Sequence, residues 1–203
     1  FDAFPSVDAA LVEKGFHLAW CDVDDLFGNA EAVRRFDVFH RYAVETLGLA
    51  KRPVLEGFSR GGLPVYAWAE RNPESVRAIY CDAPVLDIGS WPGGRGRRPK
   101  VEAEWEKCLR AWGMTEEESV SWHGPLDGLA PLAEARVPII HVVGQVDEAV
   151  PVEENTDILE RRYSALGGRI TVIRKEGVGH HPHSLEDPAP IVDFILAAWH
   201  VPR

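Results

Sequence analysis

The sequence has few cysteines, no long apolar run and no basic stripe, and each shortage excludes a class of protein. Its three cysteines are an odd number without C-x-x-C spacing, which argues against a disulfide framework and a zinc-binding cysteine motif. No apolar run has the length of a membrane span, and the N-terminus lacks the regions of a signal peptide. The net charge of −10 is spread along the chain, so no nucleic-acid partner is expected.

The composition that is present predicts one globular domain, and we expect a soluble chain, cytoplasmic or secreted after removal of a signal peptide. The 203 residues are 45% hydrophobic and 27% charged, which suits one α/β domain over 1–203. Short apolar strands alternate with amphipathic helices, a pattern typical of a mostly parallel sheet with helices on both faces. Strands are predicted at 16–21, 54–55, 76–81, 137–143 and 169–174, and helices at 5–15, 29–48, 62–71, 153–166 and 189–199.

The region 90–132 breaks this alternation. It contains no apparent strand, and a Gly/Arg-rich loop is followed by helical stretches that carry tryptophans. Insertions of this length beside a sheet are typically functional, so we predict a cap or lid. Trp91 follows a strand-end loop directly and is predicted to line the substrate pocket. Trp105 and Trp112 suit a packed core equally well.

The most informative motif is Gly57-Phe58-Ser59-Arg60-Gly61, which matches G-x-S-x-G. This pattern indicates a nucleophile elbow, a sharp strand-to-helix turn from which the serine hydroxyl projects. We expect both Gly57 and Gly61 to be required because their Cβ atoms would collide in so tight a turn. A glycine-rich loop that matches by chance is the alternative.

A serine nucleophile needs a base and a group that orients the base, and both candidates follow predicted strands. Asp147 comes after the apolar strand at 137–143, with Glu148 as its competitor. His180 follows the glycine pair after the last strand and is the preferred base. The order of serine, acid and histidine is that of the α/β-hydrolases.

Two further histidines, His181 and His183, lie beside His180 in the sequence, so the choice of the base among the three stays open. Either could shape the pocket, and His181 is predicted to contact substrate. A metal site is disfavoured, because adjacent histidines rarely converge on one ion and no other ligand cluster stands out.

These motifs resemble the α/β-hydrolase superfamily over nearly the whole chain. The residues that carry the resemblance are Gly57-Phe58-Ser59-Arg60-Gly61-Gly62, Gly144 to Pro151 and Gly177-Val178-Gly179-His180. Arg60 after the nucleophile also looks like a feature of glucuronoyl esterases, in which the arginine helps to hold the oxyanion. Those enzymes carry cysteine where this chain has Phe58. The likeness to glucuronoyl esterases is therefore partial, and it implies no more than a preference for carbohydrate esters as substrates.

The resemblance implies a serine esterase that uses no cofactor and acts on a small-molecule or saccharide ester. The backbone N–H of Arg60 is expected to bind the oxyanion, with a second donor from the loop at 1–4, assigned to Asp2. The strands that precede this loop in the superfamily are then missing from the chain, which suggests an N-terminally incomplete sequence. Peptide or lactone cleavage on the same triad, and a non-catalytic binding module of the same fold, are the alternatives.

Overall fold

The computed structural model describes residues 6–200 of the chain. None of the described helices is long and apolar enough to cross a membrane. The strands are β1 (Val54–Phe58), β2 (Ala78–Asp82), β3 (Ile139–Gly144) and β4 (Ile170–Lys175). The helices are α1 (Ser6–Glu13), α2 (Ala30–Glu45), α3 (Gly62–Arg71), α4 (Glu102–Trp112), α5 (Ala130–Glu134), α6 (Thr156–Ala165) and α7 (Ala189–His200).

The strands form one parallel sheet in the order β1-β2-β3-β4. Every residue of β2 and β3 is buried, as expected for central strands that helices cover on both faces. The predicted fold class is therefore confirmed. Parallel pairing also brings the carboxyl ends of all the strands to one edge of the sheet, where the loops with the candidate site residues begin.

The two faces of the sheet bury different helices. On one face, α1 and α7 pack against Tyr80, Ile140 and Val142. On the other, α3 and α6 cover Ile79 and Ile139. This alternation follows from the strand geometry, in which successive side chains point to opposite faces.

Helix α2 begins where the sequence predicts. Asn29 is its N-cap, and the side-chain oxygen of Asn29 accepts hydrogen bonds from the N–H groups of Glu31 and Ala32, both at 3.0 Å.

The segment predicted as a cap contains α4 and α5 and, among the described residues, no strand. Trp105 of α4 is 2% exposed and belongs to a third apolar cluster with Phe27, Leu63 and Ile88. Trp105 is thus a core residue. Its burial ties α4 to the first turn of α3, directly after the elbow.

The predicted strand at 16–21 is wrong, because these residues form no strand. The segment lies near the outer edge of β1 without pairing with it. Both line a cavity of about 500 Å³, the segment through Phe16–Ala19 and the strand through Val54–Glu56. Leu18 and Trp20 are 52% and 80% exposed. A strand requires a partner that satisfies its backbone hydrogen bonds, and no described strand pairs with this segment.

Glu56 is half-buried on β1 and lines the same cavity. Burial raises its pKa to about 8, and the nearby carboxyl of Asp8 adds to the shift. The usual pKa of 4.5 applies in the unfolded chain. The raised value therefore stabilises the fold at low pH, and that contribution is lost as the pH rises from about 4.5 through about 8.

We predict that Glu56→Gln weakens this pH dependence, because the amide stays neutral throughout. Urea unfolding at about pH 5 and about pH 9 should show the variant gaining stability relative to wild type at the higher pH. Glu45→Gln, at an exposed position of α2, is the control and should leave the difference between the two pH values unchanged. Parallel stability curves for wild type and Glu56→Gln would contradict the prediction.

Candidate active site

The serine of the G-x-S-x-G motif occupies a sharp turn between β1 and α3. Ser59 begins a 3-10 turn (Ser59–Gly61) that runs directly into α3 at Gly62. Its φ of 49° lies in the left-handed region, which is strained for a residue with a side chain. The backbone therefore has the strand–turn–helix geometry and the strained serine of a nucleophile elbow.

The turn requires Gly57 and Gly62, whereas the sequence suggests Gly57 and Gly61. A Cβ atom on Gly57 would lie 2.8 Å from the Gly61 oxygen and 3.0 Å from Val65 Cγ2. A Cβ on Gly62 would lie 2.7 Å from the Val85 oxygen. Around Gly61 nothing lies within 4 Å of the added atom, so the expectation that Gly61 prevents a clash is wrong. Gly62 takes that role, because the loop after β2 crosses directly over it.

The three residues predicted as the triad lie in hydrogen-bond contact. His180 Nε2 is 2.9 Å from Ser59 Oγ, and His180 Nδ1 is 2.7 Å from Asp147 Oδ2. A carboxylate can only accept, so Nδ1 carries the proton, and Nε2 is left to accept the proton of the serine hydroxyl. This is the tautomer in which a histidine can act as a base toward serine.

Asp147 is fixed by the backbone that follows it. Its Oδ1 accepts hydrogen bonds from the N–H groups of Ala149 and Val150, both at 2.8 Å, and its side chain is 0% exposed. The other oxygen is thereby directed at His180. The competing acid, Glu148, is 81% exposed and forms an ion pair with Arg98.

The acid and histidine loops pack directly against each other. A Cβ on Gly144 would collide with the backbone of Val178 and Gly179, and the N–H of Val146 donates to the Val178 oxygen at 3.1 Å. Glycine is required at 144 because the two loops approach this closely.

A second histidine–carboxylate pair, which the sequence did not reveal, lies beside the first. His183 Nδ1 donates to Asp82 Oδ1 at 2.7 Å, and the Ser184 N–H donates to Asp82 Oδ2 at 2.6 Å. Asp82 is the last residue of β2 and is fully buried. The available signal was its position at a strand end, the same signal that identified Asp147. The pair anchors the loop that carries His180 at a point beyond the histidine.

The other predicted site residues lie around this centre. His181 is exposed, and its ring is 5.0 Å from that of His180. Trp91 is half-buried and stacks on Phe27 with ring centroids 6.4 Å apart, while the guanidinium of Arg60 lies 5.2 Å above the same Phe27 ring. Trp91 is thus linked to the elbow through Phe27. Asp2 and the rest of the loop at 1–4 lie outside the described residues.

The guanidinium of Arg60 is engaged by acidic side chains. It pairs with Glu104 of α4 at 2.8 Å and with Asp25 at 3.3 Å. The residue after the serine therefore links the elbow to α4.

Comparison with solved structures agrees with this fold. A puromycin-hydrolysing peptidase from Mycobacterium tuberculosis superposes with a TM-score of 0.62 at 16% identity, over 84% of this chain and 25% of the other. Dipeptidyl peptidase 4 from Porphyromonas gingivalis gives 0.63 at 15% identity, over 83% and 23%. Esterase PE8 gives 0.53 at 17% identity, over 88% and 68%.

At these identities the likeness concerns the fold, and the chain has the α/β-hydrolase fold. It spans about a quarter of the length of each of the two peptidases. No protein-family model matches the sequence, and a search of curated proteins likewise gives no match. These structures add no support for the finer likeness to glucuronoyl esterases.

The glycine geometry leads to a paired prediction. Gly57→Ala should destabilise the protein by about 1–3 kcal/mol, because the new methyl group overlaps the elbow backbone. Gly61→Ala should be neutral or stabilising by up to about 1 kcal/mol, because its φ of −61° and ψ of −17° suit alanine and the space is open. Urea unfolding of both variants gives the comparison. Equal destabilisation would refute the conclusion that the space around Gly61 accepts a methyl group.

Proposed function

We propose that this protein is a serine hydrolase that cleaves a carboxylic ester through an acyl-enzyme. The observation that carries the proposal is the continuous hydrogen-bonded chain from Asp147 through His180 to Ser59, with the serine on a strained elbow. A serine hydroxyl is a weak nucleophile at neutral pH, and this arrangement supplies the base that activates it.

In the first step, Ser59 Oγ attacks the acyl carbon while His180 Nε2 takes the hydroxyl proton. Asp147 holds the ring and stabilises the imidazolium that forms. The tetrahedral intermediate then expels the alcohol, which receives the proton from His180. In the second step, water attacks the acyl-enzyme, His180 removes its proton, and the acid is released with the proton returned to Ser59.

The oxyanion of each tetrahedral intermediate requires backbone donors. In our proposal the Arg60 N–H is one, since it directly follows the nucleophile, and the loop at 1–4 with Asp2 supplies the other. Loss of one such donor raises the barrier by about 3 kcal/mol.

The substrate class we propose is an ester of a saccharide or a small aromatic acid. Its support is the half-buried ring of Trp91, which stacks on the buried Phe27 near the elbow, and the exposed ring of His181 beside His180. Rings of this kind pack against the faces of sugars and aromatic groups.

Peptide-bond cleavage is the second candidate function. It is favoured by the likeness to the two peptidases, whose TM-scores of 0.62 and 0.63 exceed the 0.53 of the esterase. The same nucleophile, base and acid serve both reactions, so the leaving group is what separates them.

Replacement of Ser59 tests whether it is the nucleophile. Ser59→Ala should lose all covalent labelling by a fluorophosphonate probe and lower ester turnover by at least about 10³-fold, because alanine has no hydroxyl to form the acyl-enzyme. Ser164→Ala, at an exposed position of α6, is the matched control and should retain both. Undiminished labelling of Ser59→Ala would eliminate the proposal.

A panel of substrates separates ester cleavage from peptide-bond cleavage. On a panel of p-nitrophenyl acetate, acetylated sugars, feruloyl and glucuronate esters and aminoacyl amides, the esters should give the higher kcat/KM, and Ser59→Ala should abolish each activity detected. If the amides react faster than every ester, the peptidase assignment replaces the esterase assignment.

A further inference from the structure

The rings of His180, His181 and His183 form a compact cluster. Their centroids are 5.0 Å apart for His180 and His181, 5.0 Å for His180 and His183, and 4.6 Å for His181 and His183. One ligand nitrogen from each ring lies within 4.8 Å of the others. The three rings therefore lie close enough together to be considered as ligands of one ion.

Two of these rings donate hydrogen bonds to buried carboxylates. Asp147 accepts from His180 Nδ1 and Asp82 accepts from His183 Nδ1, each at 2.7 Å, and both aspartate side chains are 0% exposed. Histidines that ligate metals characteristically donate their other ring N–H to a carboxylate, which orients the ring and raises its basicity. With both Nδ1 atoms occupied, Nε2 is the nitrogen that each ring can offer to an ion.

The charge around the cluster also favours a cation. Asp82 and Asp147 place two buried carboxylates in hydrogen-bond contact with the cluster, so a dication would be balanced at close range. Imidazole nitrogens suit zinc and other late transition metals, whereas calcium and magnesium prefer oxygen ligands.

We propose that His180, His181 and His183 form a zinc site whose occupation reversibly inhibits the enzyme. Zinc takes the lone pair of His180 Nε2, the atom that otherwise faces Ser59 Oγ at 2.9 Å, and a water completes the tetrahedron. The base is then no longer available to the serine. The inhibition rests on the proposed function, whereas the binding site does not.

The geometry requires only a small adjustment. Zinc–nitrogen bonds of about 2.1 Å place tetrahedral ligands roughly 3.4 Å apart. The ligand nitrogens, which lie within 4.8 Å of one another, must therefore approach by up to about 1.4 Å. His183 is buried and held by Asp82, and His180 is held by Asp147. Of the three rings, that of His181 is the exposed one.

The test is calorimetric titration of the metal-free protein with zinc chloride. Wild type should show one saturable site, and His181→Ala and His183→Ala should each bind at least tenfold more weakly. His17→Ala removes an exposed histidine outside the cluster and should bind as wild type does. Ser59→Ala should still bind zinc, because the serine is not a ligand.

Inhibition is measured on the same variants as the ratio of ester turnover with and without zinc. That ratio should move toward one in His181→Ala, whose exposed position spares the fold, and stay at the wild-type value in His17→Ala. Loss of zinc binding in His181→Ala supports the site whether or not the protein cleaves an ester. If zinc binds as expected but no ester is cleaved, only the proposed function fails. The site is refuted if wild type shows no saturable binding or if both cluster variants bind zinc as tightly as wild type.

Discussion

The candidate site depends on the parallel alignment of the strands. Ser59 and His180 are 121 residues apart in the chain, and Asp147 and His180 are 33 apart, yet each follows the carboxyl end of its own strand. Because β1, β3 and β4 run in one direction, those ends meet at one edge of the sheet. An antiparallel β4 would carry its following loop, and with it the histidine, to the opposite edge.

The histidine loop is held at two points, and this explains both its position and its clustered rings. Asp147 binds His180 from the end of β3, while Asp82 binds His183 and the Ser184 N–H from the end of β2. Two anchors on neighbouring central strands leave the short segment between them little freedom. The same anchoring that orients His180 toward Ser59 also brings the three imidazoles together, so the proposed base and the proposed metal site share one structural cause.

The sequence predicted what depends on local pattern. The turn at Ser59, the contacts of His180 with Asp147 and Ser59, and the cap at Asn29 were all expected from short motifs. The predicted strand at 16–21 failed because a strand exists only with a partner, which a single segment cannot reveal. Asp82 stands at a strand end as Asp147 does, but its pairing with His183, 101 residues away, became evident only from the fold. Gly61 was misjudged because the crowding arises from the loop after β2, which covers Gly62 instead.

Arg60 shows how a likeness in sequence is limited by the contacts around it. The sequence suggested a likeness to glucuronoyl esterases, in which the arginine helps to hold the oxyanion, and the solved structures add no support for it. Here its guanidinium pairs with Glu104 at 2.8 Å and lies over the Phe27 ring, and the side chains of Arg60 and Glu104 are each 23% exposed. The same Glu104 also pairs with Lys107 at 2.8 Å, so the Arg60 guanidinium belongs to a cluster of charged side chains between the elbow and α4. The role we assign to Arg60 is therefore carried by its backbone N–H, while its side chain joins the elbow to α4.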